Sequence, residues 1–312
     1  MPTHHTRKSR LMNILVTGSG GFIGKALFSS LERAGHNVIG LRSSEIEAVH
    51  SPSNKVQVAD IASRESIEVL SQNIIQCDAI IHAAASLDKD LLASAVPIVN
   101  CLGTQNVLWL ANRWQCSNFI YISGVSVIGR PIFDPITESH PVQPTSAYLA
   151  SKLFGEHLVH LASKTGMKTA SLRVTAPVGP GMPTKRLLTT AVSHAMRNEA
   201  IELSGNGTRQ QNYVDVRDIA HATALCLEKN ISGLYNIAGE QSVSNYDLAS
   251  LCIDRCNSSS RIEFNGTTDE EDDCKWIVSC EKAERNFGYA PKYSLRDAID
   301  LAIEDCSKGR FE

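Results

Sequence analysis

Short apolar runs alternate with longer amphipathic stretches through the first half of the chain. The runs are too short for helices and are bounded by turn residues, so they predict buried strands. They lie at residues 14–16, 38–41, 56–60, 78–82, 119–123 and 168–174. The stretches between them predict helices at residues 22–34, 63–73, 91–114 and 146–165. This alternation predicts an α/β protein with a doubly wound parallel sheet.

Glycines follow the first predicted strand where a helix should begin. They are Gly18, Gly21 and Gly24, and Phe22 and Ile23 open the helix. This context suits a dinucleotide pyrophosphate, because backbone N–H groups and the helix dipole then face the anion. Gly18 allows a sharp turn, Gly21 leaves room for the phosphates, and Gly24 lets the helix pack closely on the strand. Taken alone, the G-x-x-G-x-x-G spacing also fits a plain tight turn before a helix.

The end of the second strand bears on the choice between NAD and NADP. An acidic residue there would hold the ribose hydroxyls of NAD. This chain has Arg42 instead, followed by Ser43 and Ser44. A guanidinium beside hydroxyls suits a ribose 2′-phosphate, so NADP is slightly favoured over NAD. The alternative is an arginine on a solvated loop. Asp60, at the end of the third strand, is a candidate for contact with adenine.

Tyr148 and Lys152 stand four residues apart on a predicted helix and therefore share one face. A nearby ammonium favours the phenolate, so we expect Lys152 to lower the pKa of Tyr148. The tyrosine could then act as general acid or base on a carbonyl or hydroxyl oxygen. The pair alone is a weak signal, because a surface pair has the same spacing. Its place after the fifth strand of a dinucleotide-binding fold favours catalysis.

The pattern changes after residue 175, where prolines and glycines interrupt it. We expect a dinucleotide-binding Rossmann domain at residues 11–175, to which residues 213–238 return. Residues 176–212 and 239–312 would form a smaller, interleaved C-terminal substrate-binding domain. The acidic run at 269–273 is expected to be a solvated loop.

Composition excludes several other classes of protein. The chain has 312 residues, and its 43% content of hydrophobic residues is ordinary for a globular protein. Its net charge of −3 gives no sign of the basic surface that binds nucleic acid or a membrane. Residues 1–10 are polar and basic, and the apolar run after them is too short for a signal peptide, so a disordered leader is expected. The nine cysteines lack C-x-x-C spacing. Reduced thiols, a cytoplasmic location and no metal site are therefore expected.

Several motifs together resemble one family, the extended short-chain dehydrogenase/reductases of the NAD(P)-dependent epimerase/dehydratase group. The resemblance covers residues 13–298. It rests on T-G-S-G-G-F-I-G at 17–24, H-A-A-A at 82–85, N-x-x-G-T-x-N at 100–106, Y-x-x-x-K at 148–152, L-R at 172–173, G-x-G-x-R at 205–209, Y-V-x-V-x-D-I-A at 213–220 and N-I-A-G at 236–239.

The resemblance implies a role for each matching residue. Tyr148 would be the catalytic acid/base and Lys152 its partner. The cofactor-binding residues would be Gly18, Gly21, Phe22, Ile23, Gly24, Arg42, Asp60, Ile61, Ala83, Ala84, Asn100, Tyr148 and Lys152. Arg209 would contact a nucleotide-sugar phosphate, and Tyr213 belongs to the same substrate-binding signature. The resemblance also implies a homodimer formed through helices at 91–114 and 146–165.

Two positions depart from the family pattern. The family usually has Ser or Thr where this chain has Gly124, and glycine cannot donate a side-chain hydrogen bond to the substrate oxygen. Ser123 or Ser126 could take that role, and Ser126 is preferred because alternate residues of an extended chain lie on the same side. Many sugar-nucleotide members also have Asn where this chain has Ala176, which weakens the case for a nucleotide-sugar substrate.

The resemblance leaves three functions open. The first is an NAD(P)-dependent epimerase-type oxidoreductase whose small-molecule substrate is a nucleotide sugar. The second is an NADPH-dependent carbonyl reductase, which Arg42 favours. The third is a non-catalytic dinucleotide-binding sensor or scaffold, which Gly124 favours and Tyr148 opposes. A 4,6-dehydratase is disfavoured, because Val125 and Ser126 stand where an acidic pair would be needed for water elimination.

Overall fold

Seven parallel strands form the main sheet of the computed structural model, which describes residues 11–43, 55–88 and 94–310. The strands of this sheet are β1 (Asn13–Thr17), β2 (Asn37–Arg42), β3 (Val56–Val58), β4 (Ala79–His82), β5 (Asn118–Gly124), β6 (Lys168–Val174) and β10 (Gly233–Ile237). Their order is β10-β6-β5-β4-β1-β2-β3, and every neighbouring pair is parallel. The predicted α/β fold with a doubly wound parallel sheet is confirmed. The predicted leader and Ser44 lie outside the described residues.

The remaining strands form two small sheets. They are β7 (Ala176–Val178), β8 (Ile201–Leu203), β9 (Gln210–Asp215), β11 (Ser242–Ser244) and β12 (Ile262–Phe264). One sheet has the order β11-β9-β7 and the other pairs β12 with β8.

Nine α-helices lie within the described ranges of the chain. They are α1 (Phe22–Arg33), α2 (Arg64–Asn73), α3 (Gly103–Arg113), α4 (Ala147–Ala162), α5 (Leu187–Met196), α6 (Val216–Glu228), α7 (Asn245–Arg255), α8 (Glu281–Phe287) and α9 (Leu295–Ser307). Within those same ranges, none is long and apolar enough to cross a bilayer.

Helices cover both faces of the main sheet because its strands are apolar on both sides. Ile14 and Val16 of β1 face one core, which α1 and α6 also build. Leu15 between them faces the other core, which contains residues of α2, α3 and α4. Successive side chains of a strand point to opposite faces, so a continuous apolar run indicates a doubly covered sheet.

Two predicted elements differ from the structure in instructive ways. The predicted strand at 56–60 ends at Val58, because its neighbour β2 ends at Arg42 and the register pairs these two residues. The predicted helix at 91–114 is not one regular α-helix. Its residues 91–93 lie outside the described part, and Val96–Leu102 form a π-helical segment before α3 begins. A π-helical turn of this kind frequently occurs at functional sites.

The second half of the chain is interleaved with the first. Helix α6 packs on α1, and β10 forms the edge of the main sheet beside β6. Strand β9, which contains Tyr213, instead joins the small sheet with β7 and β11. Helices α5, α7 and α9 form a third core with residues of β8. The proposed domain boundaries stay a prediction.

Candidate active site

The turn between β1 and α1 allows an unusually close approach of backbone segments. Gly18 has φ +69°, and a Cβ atom there would lie 2.7 Å from the Ala84 Cα atom. A Cβ atom on Gly24 would lie 1.9 Å from the Gly18 carbonyl oxygen. Neither position can accept a side chain without movement of the backbone. The turn therefore places the N-terminus of α1 against the end of β4, where the order of strands reverses.

A cavity of about 330 Å³ lies at this reversal point. The structure brings seven of the predicted cofactor-binding residues to its wall, namely Gly18, Gly21, Arg42, Asp60, Ile61, Ala83 and Ala84. Gly21 caps α1, so the backbone N–H groups of Phe22 and Ile23 begin the helix beside the cavity. The first turn of α1 has no acidic residue to oppose an anion. This donor set fits the pyrophosphate of a dinucleotide.

Asn100 lies behind the cavity wall, where its amide is already bonded. Its Nδ2 atom donates to the Ser86 carbonyl oxygen at 3.0 Å and to Ser151 Oγ at 2.9 Å, and its Oδ1 atom accepts from Ser86 N–H at 2.7 Å. Ser86 lines the cavity, whereas Ser151 belongs to α4 and donates to the Tyr148 carbonyl oxygen at 2.7 Å. Asn100 therefore connects the cofactor cavity to the helix that contains Tyr148 and Lys152.

Lys152 is buried in α4, and its Nζ atom lies 4.2 Å from the centroid of the Tyr121 ring. Burial lowers the pKa of Lys152 to about 7, although the negative charge of Glu156 acts in the opposite direction. Burial also lowers the pKa of His82 to about 3, with a further contribution from the charge of Lys152. His82 is held between the hydroxyls of Thr17 at 2.7 Å and Thr104 at 2.9 Å. The imidazole is thus a neutral structural bridge.

The surroundings of Tyr148 raise the pKa of its phenol above the ordinary value. Burial raises its pKa, and the charge that opposes this shift is that of Arg186. The net shift is opposite to the one expected from Lys152, because loss of hydration outweighs the charge of Arg186. The phenol is available as a proton donor at neutral pH.

The two serine candidates lie in different surroundings. Ser123 is buried and donates to Glu156 Oε1 at 2.6 Å. Arg173 holds the same carboxylate through two hydrogen bonds of 3.0 and 2.8 Å. Ser123 is therefore part of a buried structural network, which its sequence position did not indicate, and this argues against a catalytic role. Ser126 is exposed in the short 3₁₀ helix Val125–Ile128.

Gly124 could accept a side chain without strain. Its φ and ψ of −134° and 143° are extended, and an added Cβ would meet only the Val174 carbonyl oxygen at 3.9 Å. The backbone at this position would therefore accept a serine or threonine. Glycine is not required there for conformation or packing.

A second cavity of about 270 Å³ brings together the predicted substrate-binding residues Arg209 and Tyr213. Ala176 and Arg186 also line it. Burial raises the pKa of Tyr213 to about 12. Arg186 was not predicted from the sequence. The available signal was a cation directly before α5, where the helix dipole is unfavourable to positive charge.

The acidic run 269–273 is a partly exposed loop, and its side chains also make specific contacts. Asp272 accepts hydrogen bonds from the backbone N–H groups of Asn206, Thr208 and Arg209. These bonds, that of Asn206 above all, lower the pKa of Asp272. The run is therefore attached to the loop that begins the predicted substrate-binding signature.

Comparisons with known proteins agree with this architecture. The family model described as the NAD dependent epimerase/dehydratase family matches residues 14–238. A dTDP-glucose 4,6-dehydratase of Streptomyces niveus is 25% identical over 309 residues, which cover 94% of this chain and 92% of that protein. The crystal structure of UDP-glucose 4-epimerase from Thermotoga maritima with UDP-glucose has a TM-score of 0.87 at 22% identity, covering 96% of this chain and all (100%) of that one.

A further solved structure, UDP-glucuronic acid 4-epimerase from Bacillus cereus in complex with UDP-glucuronic acid and NAD, has a TM-score of 0.81 at 24% identity. It covers 95% of this chain and 99% of that one. At these identities the structural similarities show the fold.

The lowered pKa of Lys152 predicts a pH-dependent stability of the cofactor-free protein. Below about pH 7 Lys152 is protonated in both the folded and the unfolded chain, so the full cost of burying its charge lowers the free energy of unfolding. Above that pH the folded chain releases the proton and the unfolded chain keeps it, so stability rises with pH. We expect wild type to gain roughly 1 kcal/mol per pH unit relative to Lys152→Met between about pH 7 and pH 9.

Urea unfolding of both proteins at several pH values measures this difference. The Lys152→Met variant is the control, because all other titrating groups are common to both proteins. A difference that stays constant across this range would show that Lys152 keeps an ordinary pKa.

Proposed function

Because the chain belongs to the NAD-dependent epimerase/dehydratase family, we propose that it is a sugar-nucleotide epimerase-type oxidoreductase. Hydride transfer would occur at a hydroxyl or keto carbon of the sugar, with Tyr148 as the acid/base. The observation that carries the proposal is the link through Asn100, which fastens the wall of the nucleotide cavity at Ser86 to α4 at Ser151. The catalytic tyrosine and the cofactor site are thereby held in one rigid unit.

Each residue has a defined task in this proposal. A bound nicotinamide supplies the hydride acceptor and donor. The Tyr148 phenolate would accept the proton of the sugar hydroxyl during oxidation, and the resulting phenol would return that proton to the keto oxygen during reduction. In its protonated form Lys152 would favour the phenolate that starts and ends this cycle, because a positive charge nearby stabilises the ionised form. Arg209, Arg186 and Tyr213 line the cavity for the remainder of the substrate.

Elimination of water is not part of the proposal. Among the relatives, the Streptomyces niveus protein is named a dTDP-glucose 4,6-dehydratase. In this chain Val125 is buried and Ser126 stands beside it, so the loop after β5 offers no acidic pair at these positions.

A homodimer is proposed from the surface of two packed elements. The π-helical segment Val96–Leu102 packs against α4, and both expose large apolar side chains. These are Ile98 and Leu102 on the first element and Phe154 and Leu161 on the second. An exposed apolar patch of this kind commonly marks a protein interface, and sedimentation equilibrium measures the association. A cytoplasmic location stays a prediction.

Replacement of the catalytic tyrosine tests the proposed function directly. Tyr148→Phe removes only the hydroxyl, so the variant should fold and bind cofactor while losing roughly 10²- to 10⁴-fold in turnover. Turnover is followed by chromatography of UDP- and dTDP-hexoses incubated with each protein. An unchanged rate in the variant would contradict the role of Tyr148, and no conversion of any nucleotide sugar by wild type would overturn the proposed substrate class.

The source of the missing hydroxyl can be tested by loss and rescue. We propose that Ser126 donates to the substrate oxygen, so Ser126→Ala should lower turnover by about 10²-fold. Because the backbone at Gly124 accepts a side chain, Gly124→Ser in the Ser126→Ala background should restore much of the rate. A Ser126→Ala variant with full activity would exclude the serine, and the assay is the same conversion of nucleotide sugars.

Arg42 slightly favours NADP over NAD, and the alternative function of an NADPH-dependent carbonyl reductase depends on this preference. Arg42 lines the cavity beside Ser43, which suits a 2′-phosphate. We expect NADPH to bind more tightly than NADH. Arg42→Ala should lower the affinity for NADPH roughly tenfold and leave the affinity for NADH unchanged. Fluorescence titration measures both. Stoichiometric NAD released from denatured wild-type protein would instead indicate a retained NAD and an epimerase cycle.

A further inference from the structure

The acidic segment, residues 269–273, occupies the guanidinium of Arg209 before any substrate arrives. Nη2 of Arg209 lies 2.5 Å from the Glu271 carboxylate, and Nη1 lies 4.0 Å from that of Asp269. Arg209 is a predicted substrate contact and lines the second cavity. The cation expected to bind a phosphate is therefore already neutralised by residues of its own chain.

Two sets of contacts fix the position of the acidic segment. Asp272 accepts backbone hydrogen bonds from residues 206, 208 and 209, with lengths of 3.0 Å from Thr208 and 3.4 Å from Arg209. In addition, Arg130 forms an ion pair with Asp273 and donates a hydrogen bond to the Glu270 carbonyl oxygen at 3.1 Å. Glu271 is therefore held beside Arg209 by its neighbours and does not depend on the ion pair alone.

Arg186 provides the contrast within the same cavity. Among the described residues, no carboxylate forms an ion pair with Arg186. One cation of the cavity is thus available and the other is paired. An incoming anion would have to displace Glu271 from Arg209 and would also meet the repulsion of Asp269.

We propose that Glu271 and Asp269 determine the specificity of this cavity by competing with the anionic group of the substrate for Arg209. The inference rests on the proposed function, because it concerns the diphosphate of a nucleotide sugar. The competition lowers affinity for nucleoside diphosphates as a class. Ligands with a single anionic group lose less affinity, because Arg186 alone can bind that group.

Calorimetric titration with UDP tests the competition. Glu271→Gln keeps the shape of the side chain and removes its charge, and the pair is partly exposed, with 32% of Arg209 and 46% of Glu271 accessible. The expected result is UDP binding about threefold to tenfold tighter than in wild type, and tighter again with Asp269→Asn added. Thermal unfolding of each variant confirms that the fold is retained.

Glu270→Gln is the matched control. It removes the same charge from the acidic segment, but the Glu270 side chain is exposed and the residue contacts Arg130 only through its carbonyl oxygen. We expect its UDP affinity to stay within about twofold of wild type, because the exposed Glu270 charge is screened by solvent and forms no ion pair with Arg209 among the described residues. Equal effects of Glu270→Gln and Glu271→Gln would overturn the proposal.

The coupling with Arg209 gives a second readout. Arg209→Ala should weaken UDP binding more in the Glu271→Gln background than in wild type, where the arginine is already paired. An identical loss in both backgrounds, or no UDP binding by Glu271→Gln, contradicts the competition.

Failure of the proposed function has a different signature. If Glu271→Gln gains affinity for UDP but wild type converts no nucleotide sugar, the competition holds and the proposed reaction is wrong. If nucleotide sugars are converted and Glu271→Gln has no effect on UDP binding, only the competition is wrong.

Discussion

The contact of three backbone segments at Gly18 is the constraint on which the rest of the site depends. The turn after β1, the start of α1 and the end of β4 meet with no side chain between them. This contact directs the N-terminus of α1 into the cavity and sets the distance between the helix and the sheet. The sheet order then places β4 and β5 on one side of β1 and β2 on the other. The cofactor residues of these strands reach one cavity because parallel strands end at the same edge.

Local pattern was sufficient for the fold because each element carries its own signal. Apolar runs, the glycine turn and the amphipathic helices are all readable over a few residues. The predicted element boundaries were wrong where contact with a neighbouring segment determines the local structure. Strand β3 ends early because its partner β2 ends, and the helix around Asn100 becomes π-helical where this asparagine bonds Ser86 and Ser151. Such contacts join residues that are distant in sequence and leave no periodic pattern.

The candidate site divides in the same way. The Tyr148–Lys152 pair follows from helical spacing, and the cofactor loop follows from its glycines. The pairing of Glu271 with Arg209, and that of Glu156 with both Ser123 and Arg173, depend on the fold bringing separate segments together. The direction of the pKa shift of Tyr148 was also beyond the sequence, since burial is a property of the whole structure. Charge patterns identify candidate residues, whereas the balance of hydration and charge needs coordinates.

The late position of β10 in the chain has a consequence for biosynthesis. The core beneath α1 contains side chains of α6 and β10, and also Ala283, Phe287 and Tyr289 from the last tenth of the chain. A ribosome must therefore translate the chain as far as Tyr289 before this half of the interior can close. Until then the nascent chain exposes the apolar face of α1 and the open edge of β6, both of which favour aggregation. Interleaving the two halves thus delays completion of the first half until the second has been synthesised.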